Sequence, residues 1–163
     1  MTRPAPAVWL TALIAIAAAA SPAAARDTIG VWNGWGAFSD PSPRRCFAIA
    51  QPVGSDRRGG FASVANWPGQ NIRNQLHVRL SRGRASNARV TLSIGERRFE
   101  LVAGPDDAWA PDARTDAAIV AAMRGGRSMS VEGLGRDGSA FADVYALSGA
   151  ATAIDAAALA CRG

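Results

Sequence analysis

The sequence predicts a mainly β protein, an antiparallel sandwich of about seven or eight short strands with two short helices in the C-terminal third. Three observations predict it. Apolar and polar residues alternate with a period of two over Gln75 to Ser81 (QLHVRLS) and Arg89 to Ile94 (RVTLSI), as half-buried strands require. Turn-forming residues recur at intervals of about 8 to 12 positions. Strand-like runs follow one another without a helix between each pair, which disfavours a parallel sheet.

The folded part begins at Ile29 to Phe38 (IGVWNGWGAF), with Asp40 to Pro43 (DPSP) as a turn. Cys46 to Gln51 (CFAIAQ) reads as a strand stopped by Pro52, and Gly54 to Gly60 as a polar loop. Phe61 to Trp67 is the next strand, ended by Trp67-Pro68-Gly69. Leu76, Val78 and Leu80 then face one way, and His77, Arg79 and Ser81 the other. After a loop from Arg82 to Asn87, Val90, Leu92 and Ile94 point inward, as do Phe99 and Leu101. The Gly95-Glu96 pair between these runs predicts a tight hairpin, and Arg136-Asp137-Gly138, between Ser128 to Leu134 and Ser139 to Leu147, predicts another. Ala113 to Arg124 is a helix with Asp112 or Thr115 as N-cap, an apolar side of Ile119, Val120 and Met123, and a stop at Gly125-Gly126. Ala150 to Ala160 is a second, capped by Ser148. Ile154, Ala158 and Cys161 share one of its faces, so Cys161 points toward the body of the protein.

The start of the chain has a different character. Arg3 precedes an apolar run, Val8 to Ala20, and an Ala-x-Ala site follows within Ser21 to Ala25. This is the layout of a cleaved secretory signal peptide over residues 1–25. The 13-residue run is short of the ~20 needed to cross a bilayer, and no later segment is apolar enough to cross one. The mature protein is therefore expected to be a single domain over residues 26–163, exported, and periplasmic or secreted. All 18 basic residues of the chain are Arg. With abundant Ala and Gly, that usage reflects GC-rich coding more than a selected nucleic-acid surface, and no nucleic-acid partner is expected. The arginines are scattered in pairs such as Arg44-Arg45, Arg57-Arg58 and Arg97-Arg98, which suits solvated strand faces and turns.

Candidate chemistry is sparse. The two cysteines, Cys46 and Cys161, allow one intramolecular connectivity, and an oxidising compartment favours the disulfide. A buried pair of free thiols is the alternative. A metal site would need more ligands than two Cys and one His, and the C-x-x-C of redox enzymes is absent. His77, the single histidine, sits mid-strand among polar-face residues and reads as a solvent-facing strand residue; no G-x-S-x-G nucleophile elbow accompanies it. Asp106-Asp107 reads as loop, and Asp112 and Asp116 as residues of a helix N-terminus. Gly133-Leu-Gly-Arg-Asp-Gly falls in a hairpin turn with no βαβ unit, which fails the test for a nucleotide loop. Trp32, Trp35, Trp67 and Trp109 have the core as their default place; an exposed subset beside Arg would form a partner surface.

Several stretches together resemble the invasion-associated locus B family, exported proteins of alphaproteobacteria. They are the Trp-bearing first strand (Val31-Trp32), C-x-x-x-x-Q from Cys46 to Gln51, RRFELVA from Arg97 to Ala103, and the Trp109-Ala-Pro-Asp112 lead-in. Asp116 to Gly126 (DAAIVAAMRGG), Met129-Ser-Val131 and Tyr145 to Asp155 (YALSGAATAID) complete the series. The resemblance implies an immunoglobulin-like β-sandwich in the periplasm or outer envelope, and some members are linked to entry of pathogenic bacteria into host cells. It supplies no catalytic motif and no cofactor. Many relatives carry a Cys soon after the first Trp and a Cys pair before the first helix; here Asn33 to Phe38 and Ala108 to Pro111 contain none. The resulting expectation is a non-enzymatic envelope protein that binds an envelope or host protein or glycan. The alternatives are an envelope hydrolase acting on polysaccharide or peptide, and a structural or stress-protective envelope protein.

Overall fold

The computed structural model of the chain describes residues 25–54 and 59–162. All but the last residue of the expected signal peptide lies outside them. Among the described residues ten strands, all antiparallel to their neighbours, form one sheet: β1 (Asp27–Trp32), β2 (Trp35–Pro41), β3 (Arg44–Ala50), β4 (Phe61–Trp67), β5 (Ile72–Arg79), β6 (Val90–Ile94), β7 (Arg97–Ala103), β8 (Asp107–Trp109), β9 (Ser128–Leu134) and β10 (Ala140–Ala146). Helices α1 (Ala113–Gly125) and α2 (Ala150–Ala160) fall in the C-terminal third. The order across the sheet is β1-β2-β3-β4-β5-β8-β7-β6-β9-β10. The class is the mainly β, sandwich-like one that the alternation predicts.

The strand count exceeds seven or eight for two local reasons. Ile29 to Phe38 is a hairpin rather than one run. Asn33 (φ 47°) and Gly34 (φ 87°) are both left-handed, and Trp32 pairs with Trp35 across them. That is the backbone of a two-residue hairpin turn, for which Asn-Gly is the preferred pair. The second addition is β8, three residues long, where the sequence predicts a loop at Asp107; it fills the gap between β5 and β7. The hairpins at Gly95-Glu96 and around Gly138 form where the turn residues place them.

The sheet folds back on itself around one core. Trp35 Nε1 donates to Ala146 O at 2.8 Å, and Val53 N to Val144 O at 2.7 Å, joining β2 and the β3–β4 loop to β10. Asp143, buried on β10, accepts from Ser81 N at 2.9 Å and from the Ser81 hydroxyl. These bonds satisfy polar groups that the seam would otherwise bury unpaired. On the inner side, Ala150, Ala153, Ile154 and Ala157 of α2 join Trp35, Ala37 and Ala48 in the core. Small residues on both elements let the helix lie close to the strands. Cys46 and Cys161 are joined by a disulfide, with Cα atoms 5.7 Å apart, that ties β3 to the end of α2.

Asp112 caps α1, accepting from Thr115 N at 2.7 Å, and Ile119, Val120 and Met123 are buried. The cap expected for α2 is different. Gly149, not Ser148, holds the N-cap position, at φ 84°. A Cβ on Gly149 would lie 2.1 Å from Trp32 O, so the chain enters α2 through a contact that only glycine fits. Ser148 instead accepts from Asn33 Nδ2 at 2.9 Å and anchors the first hairpin turn.

Candidate functional site: the outward face of the sheet

An antiparallel sheet with one face on the core should be polar on the other. Here the outward face departs from that rule along a single line. Cross-strand pairing runs Val31–Gly36–Ile49–Ser63–His77–Trp109–Val102, one residue from each of β1, β2, β3, β4, β5, β8 and β7. Side chains directly opposite in such a ladder are neighbours. Val31 is 64% exposed, Val102 59% and Trp109 38%. At the β1–β4 end the row opens into a groove of about 620 Å³, floored by Val31, Phe38, Ile49 and Phe61. Gly36 makes room for it. A Cβ there would meet the Phe38 ring at 2.6 Å, so its absence lets that ring lie flat across the strand.

His77 is on the outward side, as the alternation requires, but it is half-buried rather than free in solvent. Its ring stacks on Trp109 (centroids 5.2 Å apart, interplanar angle 9°) and meets the edge of Phe61 (5.2 Å, 84°). Its Nε2 lies 2.8 Å from Asp107 Oδ1, and Arg79 Nη1 donates to Asp107 Oδ2 at 3.1 Å. The short strand β8 supplies both Asp107 and Trp109, two residues apart and therefore on one face. The result is a rigid aromatic platform with a carboxylate and a guanidinium at its rim.

A second cluster lies further along the same face. Asp40 accepts from Arg26 Nε at 2.7 Å and from Arg45 Nη2 at 2.6 Å. The Arg26 bond, with Arg45 beside it, holds the Asp40 carboxyl below the ordinary carboxylate range against partial desolvation. The Arg45 guanidinium lies over Phe47 (4.3 Å) and Trp67 (5.0 Å), and Trp67 Nε1 donates to Gln75 Oε1 at 3.0 Å. These cation–π contacts give the outer side of β3 and β4 a fixed shape.

The four tryptophans thus separate. Trp35 is fully buried and belongs to the core, not to a partner surface, because its indole N–H is needed at the seam with β10. Trp32 is half-buried, with its ring over Gly30. Trp67 is half-buried beneath Arg45. Trp109 alone of the four is exposed and central to the outward row.

The residues that hydrolytic chemistry would need have other engagements. The Ser63 hydroxyl donates to the backbone oxygen of His77, not to its ring. Asp106 pairs with Arg136, Asp137 accepts from Ser139 N, Asp112 is a helix cap, and Asp116 accepts from Leu76 N. Among the described residues, no three His, Cys, Asp or Glu side chains converge as a metal centre requires. Gly133 to Gly138 forms the end of β9 and the hairpin turn.

No family model and no curated protein matches the chain. A solved structure does: invasion associated protein B from Bartonella henselae superposes with a TM-score of 0.63 at 17% identity, over 83% of this chain and 99% of that one. The fold is that of invasion associated protein B. The likeness in three dimensions agrees with the resemblance read from Trp32, the Cys46 strand and the C-terminal third. At this identity the invasion associated protein B fold is shared and the site residues are this chain's own. Among the described residues no helix is long and apolar enough to cross a membrane.

Proposed function

We propose that this chain is an exported envelope protein that acts by binding a partner, a protein or glycan of the envelope or of a host, and that the outward row from Val31 to Val102 is its contact surface. The observation behind this reading is the row itself: of the seven strands it crosses, five place an apolar or aromatic side chain outward, Val31, Ile49, His77, Trp109 and Val102. Large exposed apolar side chains such as Val31, Trp109 and Val102, with an apolar groove at one end of their row, are a feature of interaction sites. The exposed Trp109, held by His77 and bordered by Asp107 and Arg79, has the composition of an interface anchor with a polar rim. Binding in place of catalysis is supported by the engagement of Ser63, His77 and the carboxylates in structural bonds. Export is supported by the signal-peptide layout of residues 1–25 and by the disulfide.

The test places a photoactivatable crosslinker at Val102, which borders Trp109, in the mature protein exposed to envelope extract. Capture of one discrete partner, competed by unlabelled protein and reduced about 30-fold or more by Trp109→Ala, is the expected result. Capture that is unchanged by Trp109→Ala and by Val31→Glu would overturn the assignment of the face.

A further inference from the structure

A separate pocket opens on the inner side, where the β4–β5 connection meets the end of α2. Its volume is about 330 Å³, and its wall includes Asn66, Asn71, Arg73, Asn74, Cys161 and Arg162. The pocket owes its shape to the disulfide: Cys161 is pinned to Cys46 on β3, which holds Arg162 above the β4–β5 connection. On the opposite wall, Asn71 (φ 55°) and Asn74 (φ 56°) turn the backbone through left-handed conformations on either side of Arg73.

Two features of this wall ask for a ligand. The first is Asn66, 7% exposed, whose Oδ1 accepts from Asn74 N at 3.1 Å while its Nδ2 is buried with no acceptor. A buried amide donor left unpaired is destabilising, and native structures rarely keep one without a reason. The second is charge. Arg73 and Arg162 both line the pocket, and among the described residues no acidic side chain does. Among the described residues neither guanidinium has a hydrogen bond or ion pair; Arg162 acts on Asp155 only through space. The carbonyl end of α2 contributes about half a negative charge, which two full positive charges outweigh.

We infer that this pocket binds the oxyanion of a small acidic ligand of about monosaccharide size, with the exposed Arg73 and Arg162 as donors and the buried Asn66 amide at its floor. Guanidinium forks pair with carboxylate and phosphate alike. The volume exceeds that of a bare ion and leaves room for one sugar ring. The site is distinct from the outward row and does not rest on the partner surface proposed above.

The experiment titrates the mature protein with galacturonate, glucose 6-phosphate and glucose, followed by calorimetry and by the side-chain amide resonances of Asn66. At least one acidic sugar should bind saturably, about 10-fold or more tighter than glucose, and should shift the Asn66 amide signals. Preference for galacturonate identifies a carboxylate ligand; preference for glucose 6-phosphate identifies a phosphate ligand. The exposed double variant Arg73→Gln/Arg162→Gln should lose about 10-fold or more in affinity while keeping the wild-type melting temperature. Equal binding of glucose, no saturable binding of either acid, stationary Asn66 signals, or undiminished binding by the double variant overturns the inference.

Discussion

Asp116 lies in the first turn of α1, 8% exposed, with Oδ1 accepting the Leu76 N–H at 2.8 Å. Burial is the main cause that pushes its carboxyl from 3.8 up to about 6; the Leu76 bond opposes this and the nearby Asp112 charge adds to it. The native state therefore holds a proton that the unfolded chain releases between pH 4 and 6. Stability from this group is fully present below the unfolded value and is lost as pH rises through the folded one. A shift of about two units corresponds to about 3 kcal/mol. Asp116→Asn keeps an oxygen for Leu76 N–H and removes the titration. It also gives up the favourable charge at the helix N-terminus, about 0.3–1 kcal/mol. The variant should thus be about 2 kcal/mol more stable than wild type at pH 7.5, which is a rise of several degrees in Tm. The two should converge near pH 4. Urea unfolding at pH 4, 5, 6 and 7.5 reads the difference directly. A difference that is flat across this range, or a carboxyl that titrates near 4 by NMR, would refute the reasoning.

Two further outcomes concern the closure of the fold. The Cys46–Cys161 disulfide spans a sequence separation of 115 residues, and a loop of that length restricts the unfolded chain by about 4–5 kcal/mol. Denaturant unfolding with and without a reductant should show most of that loss, and a change below about 1 kcal/mol would contradict it. Gly149→Ala should destabilise by well over 2 kcal/mol, since φ is +84° and a Cβ would sit 2.1 Å from Trp32 O. Gly34→Ala, at φ +87° with open space around its Cβ, should lose only about 1 kcal/mol. Equal losses in the two variants, measured by thermal melts, would mean that the Trp32 contact is not what selects glycine at position 149.

The strands that were legible in the sequence are those whose inward residues meet the core directly, such as Leu76, Val78 and Leu80 or Val90, Leu92 and Ile94. Alternation there is imposed by burial on one side. The Asn33-Gly34 turn carried its own signal, masked because the aromatics on both sides make the stretch look continuous. No local pattern announces β8, since three residues become a strand only when His77 and Val102 flank them. The misplaced cap on α2 has the same origin. Gly149 is required by Trp32, more than a hundred positions away in the chain. The tryptophans show the limit most clearly. Trp35 and Trp109 look alike in sequence, and only the contact of β2 with β10 and the short pairing of β8 make one a core residue and the other a platform. The outward row depends on the strand order β1-β2-β3-β4-β5-β8-β7, which no local window contains.

Closure and outward shape are handled by different residues, and this has a consequence for the outward face. Trp35, Asp143, Ser81, α2 and the Cys46–Cys161 bond join the sheet to itself from the inside. The large exposed side chains of the outward row, Val31, Val102 and Trp109, do not belong to that inner set. Leaving them in water forgoes burial worth about 25 cal/mol per Å² of apolar surface, and only Trp109 recovers part of it, by stacking on His77. Exposed apolar side chains beyond what the sheet buries are accounted for if something covers them. The same separation makes the face testable: substitutions at Val31, Val102 and Trp109 can change binding while the inner fastenings keep the fold, whereas substitutions at Trp35 or Cys46 would confound the two.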